Sequence, residues 1–224
     1  MKKLSIILIF IIVSLSACKE KSTVDFGYDY FPMKEGHFVE YDVLEIFHDV
    51  NVNPQHDTVR YRLKTKIGEK LIDNSNRPAR KFHQYKYDQE TNELLEHRVW
   101  TRIVDGGRGE VVEENQRKIR MIFSVKNDIE WDVNAFNPEK KQTVYYSQVN
   151  SNKIISSFDF DATATIEYED FFSLVDHRRM YEVYAKDVGL VKRSFKDLRI
   201  QNFDTLDVRK GTELHYQIIN FGSE

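Results

Sequence analysis

TVRYRLKTKI, residues 58–67, alternates without a break. Val59, Tyr61, Leu63, Thr65 and Ile67 fall on one side, and Arg60, Arg62, Lys64 and Lys66 on the other. A period of two is that of a β-strand, whose successive side chains leave opposite faces. Four cations on the second face mark that face as solvated, so the stretch reads as a half-buried antiparallel strand. The same period recurs in Val39/Tyr41/Val43, Ile119/Met121/Phe123/Val125, Ala162/Ala164/Ile166/Tyr168 and Leu214/Tyr216/Ile218. Turn signals separate these runs: Asn74-Ser75-Asn76-Arg77-Pro78, Asp105-Gly106-Gly107 and Asn150-Ser151-Asn152. IVDGGRGEVV (103–112) reads as a hairpin about Asp105-Gly106, where glycine accepts the positive φ of a tight turn. The best helical candidate, 168–181, has Phe171, Leu174, Val175 and Arg178 at helical spacing but no cap, which allows one or two turns at most. Roughly nine to eleven short strands at this spacing predict an all-β domain. We expect one large curved antiparallel sheet, a half-barrel or partly closed barrel, with at most short helices.

The first residues obey a different logic. Lys2 and Lys3 precede the apolar run Leu4–Val13, and the small residues Ser14-Leu15-Ser16-Ala17 lead to Cys18. That order is a signal peptide, and the run is too short for a bilayer core, which needs about 20 residues. Leu15-Ser16-Ala17-Cys18 resembles the bacterial lipobox. The resemblance implies cleavage before Cys18, diacylation of its thiol and a membrane anchor that does not span the bilayer. The expected organisation is a signal peptide (1–17), a lipidated tether (18–29) and a single β-rich domain (30–224). By resemblance to well-studied bacterial systems, where aspartate after the cysteine retains a lipoprotein at the inner membrane, Lys19 points to the outer one. Glu20 between two lysines is too little to mark surface exposure.

Loss of Lys2 and Lys3 takes the formal net charge from −3 to −5. A well-mixed, mildly acidic surface argues against nucleic acid, whose binders concentrate positive charge. Cys18 is the only cysteine. With its thiol committed to lipid, the domain is left without disulfides, thiolate catalysis or zinc–thiolate sites.

Three stretches, YFPMKEGHFVEYDV (30–43), WDVNAFN (131–137) and YEVYAKDVGLVKRSF (181–195), together resemble a group of envelope lipoproteins of Bacteroidota. In that group an aromatic-Pro-x-x-x-Gly entry leads into the first strand. The group usually carries glycine where this chain has Val133. YAKDVGLVKRSF also resembles a segment of envelope β-sheet proteins related to lipoprotein carriers, which implies a curved sheet around an apolar cavity. In structural terms, Gly36 suits a turn into the first strand and Gly189 a turn between strands 181–186 and 190–198.

No Gly-x-Ser-x-Gly elbow, His-Glu-x-x-His helix, P-loop or dinucleotide fingerprint occurs. DVNVNP (49–54) opens like a calcium loop at Asp49, Asn51 and Asn53, but Pro54 and Arg60 stand where glycine and a bidentate glutamate are required. In 128–139, Asp128, Glu130, Asp132, Asn134 and Glu139 offer oxygen ligands, again without the glycine. The plainer expectation is a solvated segment with Trp131 and Phe136 packed inward. His48, His56, Asp49 and Asp57 share one expected hairpin and could converge on a metal or substrate; His177-Arg178-Arg179 offers an anion patch. With 15 Phe, 12 Tyr and 2 Trp, the aromatic residues suffice for a sheet core or for a lipid, glycan or peptide groove.

The expectation is therefore a lipid-anchored envelope lipoprotein with no catalytic, metal or cofactor site, acting as a non-enzymatic binding or scaffold module. Its partners would be the membrane, through lipid on Cys18, and an apolar ligand or an envelope protein. The alternatives are a hydrolase acting on envelope glycan or lipid, or a subunit of an outer-membrane complex.

Overall fold

The computed structural model describes residues 24–224; the expected signal peptide and Cys18 lie outside the described residues. A 3-10 turn, Tyr28–Tyr30, is followed by twelve strands: β1 (His37–Asp49), β2 (His56–Ile72), β3 (Pro78–Asp88), β4 (Leu94–Asp105), β5 (Arg108–Glu113) and β6 (Gln116–Ile122), then β7 (Glu130–Asp132), β8 (Thr143–Ile155), β9 (Phe158–Phe172), β10 (Asp176–Ala185), β11 (Gly189–Gln201) and β12 (Asp204–Ser223). They form one antiparallel sheet in the order β6-β5-β4-β3-β2-β1-β12-β11-β10-β9-β8-β7. The first and last strands pair along their length, from His37↔Ser223 to Asp49↔Lys210.

The two sheet edges approach each other and nearly close a barrel. Ile119 N–H on β6 donates to Val133 O beside β7 at 2.9 Å, and Trp131 Nε1 donates to Ile119 O at 3.1 Å. Tyr146 on β8 accepts from Ile122 N and donates to Ile122 O, at 3.0 and 2.8 Å. WDVNAFN is thus the clasp of the barrel. Val133 is buried there, while Phe136, expected inward, is exposed and lies under Arg117 and Arg108. Those guanidiniums converge on buried Glu110, which holds Phe136 on the outer face.

The alternation in 58–67 is realised from Tyr61 on: Tyr61, Leu63, Thr65 and Ile67 are buried and pack beside Val39, Tyr41 and Val43 of β1, whereas Val59, expected inward, is exposed where β2 nears the β1–β2 loop. Gly106 and Gly107 both have positive φ in the β4–β5 turn, as the hairpin required. Gly36, with φ 82°, could not carry a side chain, because a Cβ would lie 2.0 Å from Glu224 O. Two expectations fail. Residues 168–181 form the β9–β10 hairpin: Ile166 and Tyr168 continue the strand period, and the apolar residues mistaken for a helix face sit at the hairpin tip. Asn150-Ser151-Asn152 is not a turn but an irregularity inside β8, where Gln148 and Asn150 take positive φ and the register shifts.

Residues 24–29, expected as tether, already lie against the barrel. Gly27 is buried, Lys186 pairs with Asp25 and Asp29, and Asp187 N–H donates to Asp29 O. Tyr30 and Phe31, only 1 % and 2 % exposed, enter the core among Val111, Met121, Tyr146 and Tyr184. The segment plugs one end of the barrel. Replacing Phe31 by alanine should cost about 3–5 kcal/mol, as for buried aromatic truncations, read as a fall in the urea midpoint. Phe26→Ala, at a half-exposed ring, should stay within about 0.5 kcal/mol of the parent.

Candidate functional site

A barrel interior this wide is not filled by aliphatic side chains alone, and long polar ones complete it. Glu182 on β10 is fully buried. It accepts from Arg193 Nε at 2.7 Å and from the hydroxyls of Tyr168 and Tyr184 at 3.0 and 2.9 Å. Burial would raise its pKa, but the charges of Arg193 and Arg120 outweigh burial and hold it below the usual carboxylate range. Glu113 on β5 is treated the same way by burial and Arg120, its ion-pair partner on β6. Arg102 on β4 has no such glutamate. Its guanidinium lies 3.5 Å from the Phe31 ring centre and 5.3 Å from that of Phe82, and burial pulls its pKa down to about 10.

Between these groups lies a cavity of about 90 Å³ lined by Phe31, Tyr41, Gln84, Trp100, Arg102 and Arg193, among others. It shares Glu113, Arg120 and Arg193 with an open groove of about 840 Å³ that adds Lys118, Lys140, Lys141 and Arg178. Cations outnumber acids along this groove. At the barrel end remote from residues 24–29, the β9–β10 and β11–β12 hairpins meet through Phe203 N–H to Leu174 O. Their tips expose Phe171, Phe172, Leu174, Val175, Phe203 and Leu206.

The expected convergence of His48 and His56 occurs, without the aspartates. The two residues are cross-strand partners, with their Nδ1 atoms 2.8 Å apart. They are joined by Glu213 of β12: His48 Nε2 to Glu213 Oε1 is 3.2 Å, and His215 Nε2 to Glu213 Oε2 is 2.9 Å. Ser194 Oγ lies 3.1 Å from His215 Nδ1, and Lys196 Nζ 2.8 Å from Glu213 Oε2. The partners assign the tautomers. His48 and His215 each donate from Nε2 to the carboxylate, leaving their Nδ1 atoms to accept from His56 and Ser194. Ser194, His215 and Glu213 thus share the order of a nucleophile, a base and its orienter. Ser194 is nevertheless buried and lines none of the cavities described above. Asp49 instead accepts from Asn51 within the β1–β2 loop, and Asp57 joins no cluster with the histidines.

The other candidates disperse. Asp132 Oδ1 accepts from Asn134 N–H and Gln142 N–H, and Asn134 from Asn137, so these oxygens build the clasp turn. Glu139 accepts from Gln116. Among the described residues no group of three or more His, Cys, Asp or Glu is arranged to hold a metal. His177-Arg178-Arg179 does not form one patch: consecutive strand residues face opposite sides, and Arg178 and Arg179 pair separately with Glu169 and Glu167.

Arg102, Glu113, Arg120, Glu182 and Arg193, which line or support the cavity, were not singled out by the sequence. One signal was present. Trp100, Arg102 and Val104 share a face by alternation, placing an arginine between two apolar residues.

The sequence matches no protein-family model and no curated protein. Two solved structures are similar in shape. One is a provisionally described exported protein with a YmcC-like fold from Bacteroides fragilis: 9% identity, TM-score 0.43, covering 85% of this chain and 98% of that one. The other is a provisionally described lipoprotein from Parabacteroides distasonis: 12% identity, TM-score 0.41, covering 86% and 98%.

The ladder predicts a pH dependence. Its hydrogen bonds from His215, then Lys196, outweigh burial and hold Glu213 at about 2. A depressed carboxylate stabilises the fold above its ordinary pKa, and that contribution is lost as pH falls from about 4.5 towards 2. Glu213→Gln should cost about 1 kcal/mol at pH 7, allowing for solvent screening, and the difference from the parent should shrink towards zero as pH falls through about 2. Urea unfolding at the two pH values measures the difference.

Proposed function

We propose that this chain is a lipid-anchored lipoprotein of the bacterial envelope whose barrel is a non-enzymatic binding module. The observation that carries the binding reading is the interior cavity beside Arg102, set in a frame of paired strands. The carboxylates next to it, Glu113 and Glu182, are held by Arg120 and Arg193 and kept below their ordinary pKa. A general acid for glycan cleavage needs the reverse, a carboxyl raised towards neutrality. That favours binding over the hydrolase reading. With the unpaired Arg102 guanidinium on its wall, a polar group suits this cavity of about 90 Å³ better than the apolar ligand expected from composition.

The anchor reading rests on Leu15-Ser16-Ala17-Cys18, and its assignment to the outer membrane on Lys19. An anchor at Cys18 joins the barrel at the end where residues 24–29 dock. The exposed apolar hairpin tips then point away from the lipid. This arrangement favours a second reading, contact with another envelope protein as part of an outer-membrane complex.

Cell fractionation with native mass spectrometry tests both halves. The Cys18→Ala chain should move from the membrane to the soluble periplasmic fraction, and the purified material should carry a small bound ligand. Continued partition with membranes contradicts the anchor; a chain with no adduct in any preparation contradicts the binding module.

A further inference from the structure

Arg102 is 8 % exposed and lines the interior cavity. Its Nε is buried without a hydrogen-bond partner, and among the described residues no carboxylate lies within ion-pair distance of its guanidinium. The other arginines lining this cavity are compensated, Arg120 by Glu113 and Arg193 by Glu182. The rings of Phe31 and Phe82 offset part of the cost of burying a cation but offer no lone pair to its N–H groups. A guanidinium presents five donors in a rigid fork and stays charged at neutral pH. Water in the cavity can accept those donors but cannot balance the charge. Burying an unpaired ion is expensive, so a site of this kind calls for a counter-ion.

We propose that the Arg102 cavity is an anion-binding site that takes one oxyanion group, a phosphate or a carboxylate, on the guanidinium fork. The assignment rests on the barrel being a binding module and names the chemistry of its ligand. Bidentate capture of two oxygens is the geometry a planar fork favours. Gln84, also on the lining, supplies a further amide donor. The volume fits one such group. Two approaches reach it. Gln84, Trp100 and Tyr216 are shared with an opening flanked by Lys86 and Arg98, while Arg120 and Arg193 are shared with the basic groove. Glu45 and Glu96 offset the two cations of the first opening, so the basic groove is the approach that would draw an anion inward.

The test is thermal unfolding of the detergent-solubilised full-length protein, titrated with inorganic phosphate and separately with acetate, against chloride at matched ionic strength. The wild-type melting temperature should rise saturably with at least one of the two oxyanions and not with chloride; the more effective one identifies the group. Arg102→Met should raise the half-saturating concentration at least tenfold or abolish the response. Without anion it should melt no lower than wild type, because the uncompensated charge is gone. Arg102→Lys, which keeps the charge and loses the fork, should fall between them. A wild-type chain that responds to neither oxyanion, or an Arg102→Met curve equal to wild type, overturns the proposal. If Arg102→Met does not fold, the wild-type and Arg102→Lys titrations decide. Failure here leaves the binding module to its own test, since a co-purifying ligand that is not an oxyanion would still support it.

Discussion

Closing a sheet of twelve strands creates an interior that has to be filled, and most of the molecule follows from how this chain fills it. About eight strands leave room that their own side chains can occupy; the bore widens with each added strand. Here the extra space takes a plug and long side chains. Tyr30 and Phe31 enter from one end, and Arg102, Arg120, Arg193, Tyr168 and Tyr184 reach in from the wall. The β8–β9 hairpin also curls across to β12, where Ser156 Oγ donates to Ile218 O at 2.6 Å and Phe158 meets Phe221 at 5.4 Å. Charged groups inside a barrel are tolerable when paired, and Glu113 and Glu182 supply the pairs. Phe31 covers the arginine that has none.

The edges obey a related constraint. An open sheet offers unpaired backbone groups to other chains, and short, covered edge strands reduce that hazard. β7 has three residues and β6 seven, and each faces the other through the clasp formed by Trp131, Val133 and Tyr146. The oxygen-rich segment 128–139 gains its purpose here. Its aspartate and asparagines bind backbone N–H groups and one another, which fixes the turn that brings Val133 to Ile119.

Where one face of a strand is wet, the sequence was legible. Arg60 to Lys66 on β2 declare the outside, and the curved antiparallel sheet follows from repeating that pattern. Where both faces are covered the period disappears. Glu182 to Ala185 are all buried on β10. Glu182 therefore looked like any solvated glutamate. The pairing of His48 with His56 could be read from one hairpin, but Glu213 lies at the other end of the chain and reaches them only because the last strand pairs with the first. Sites assembled by closure leave no local trace. Residues 24–29 read as tether for a similar reason: their polar spacing carries no period, and the groups they dock on, Lys186 and Asp187, are far from them in sequence.

Amide hydrogen exchange over the N-terminal segment of the full-length protein tests most directly the claim that the plug is part of the barrel. Tyr30 N–H donates to Gly27 O and Phe31 N–H to Tyr28 O, beneath side chains that cannot leave without opening the interior. Protection of these two amides comparable to that of β1, whose Tyr41 lies in the same interior, is the predicted result. Exchange as fast as at exposed Asn202 in the β11–β12 turn would contradict it, and with it the cavity that Phe31 helps to line.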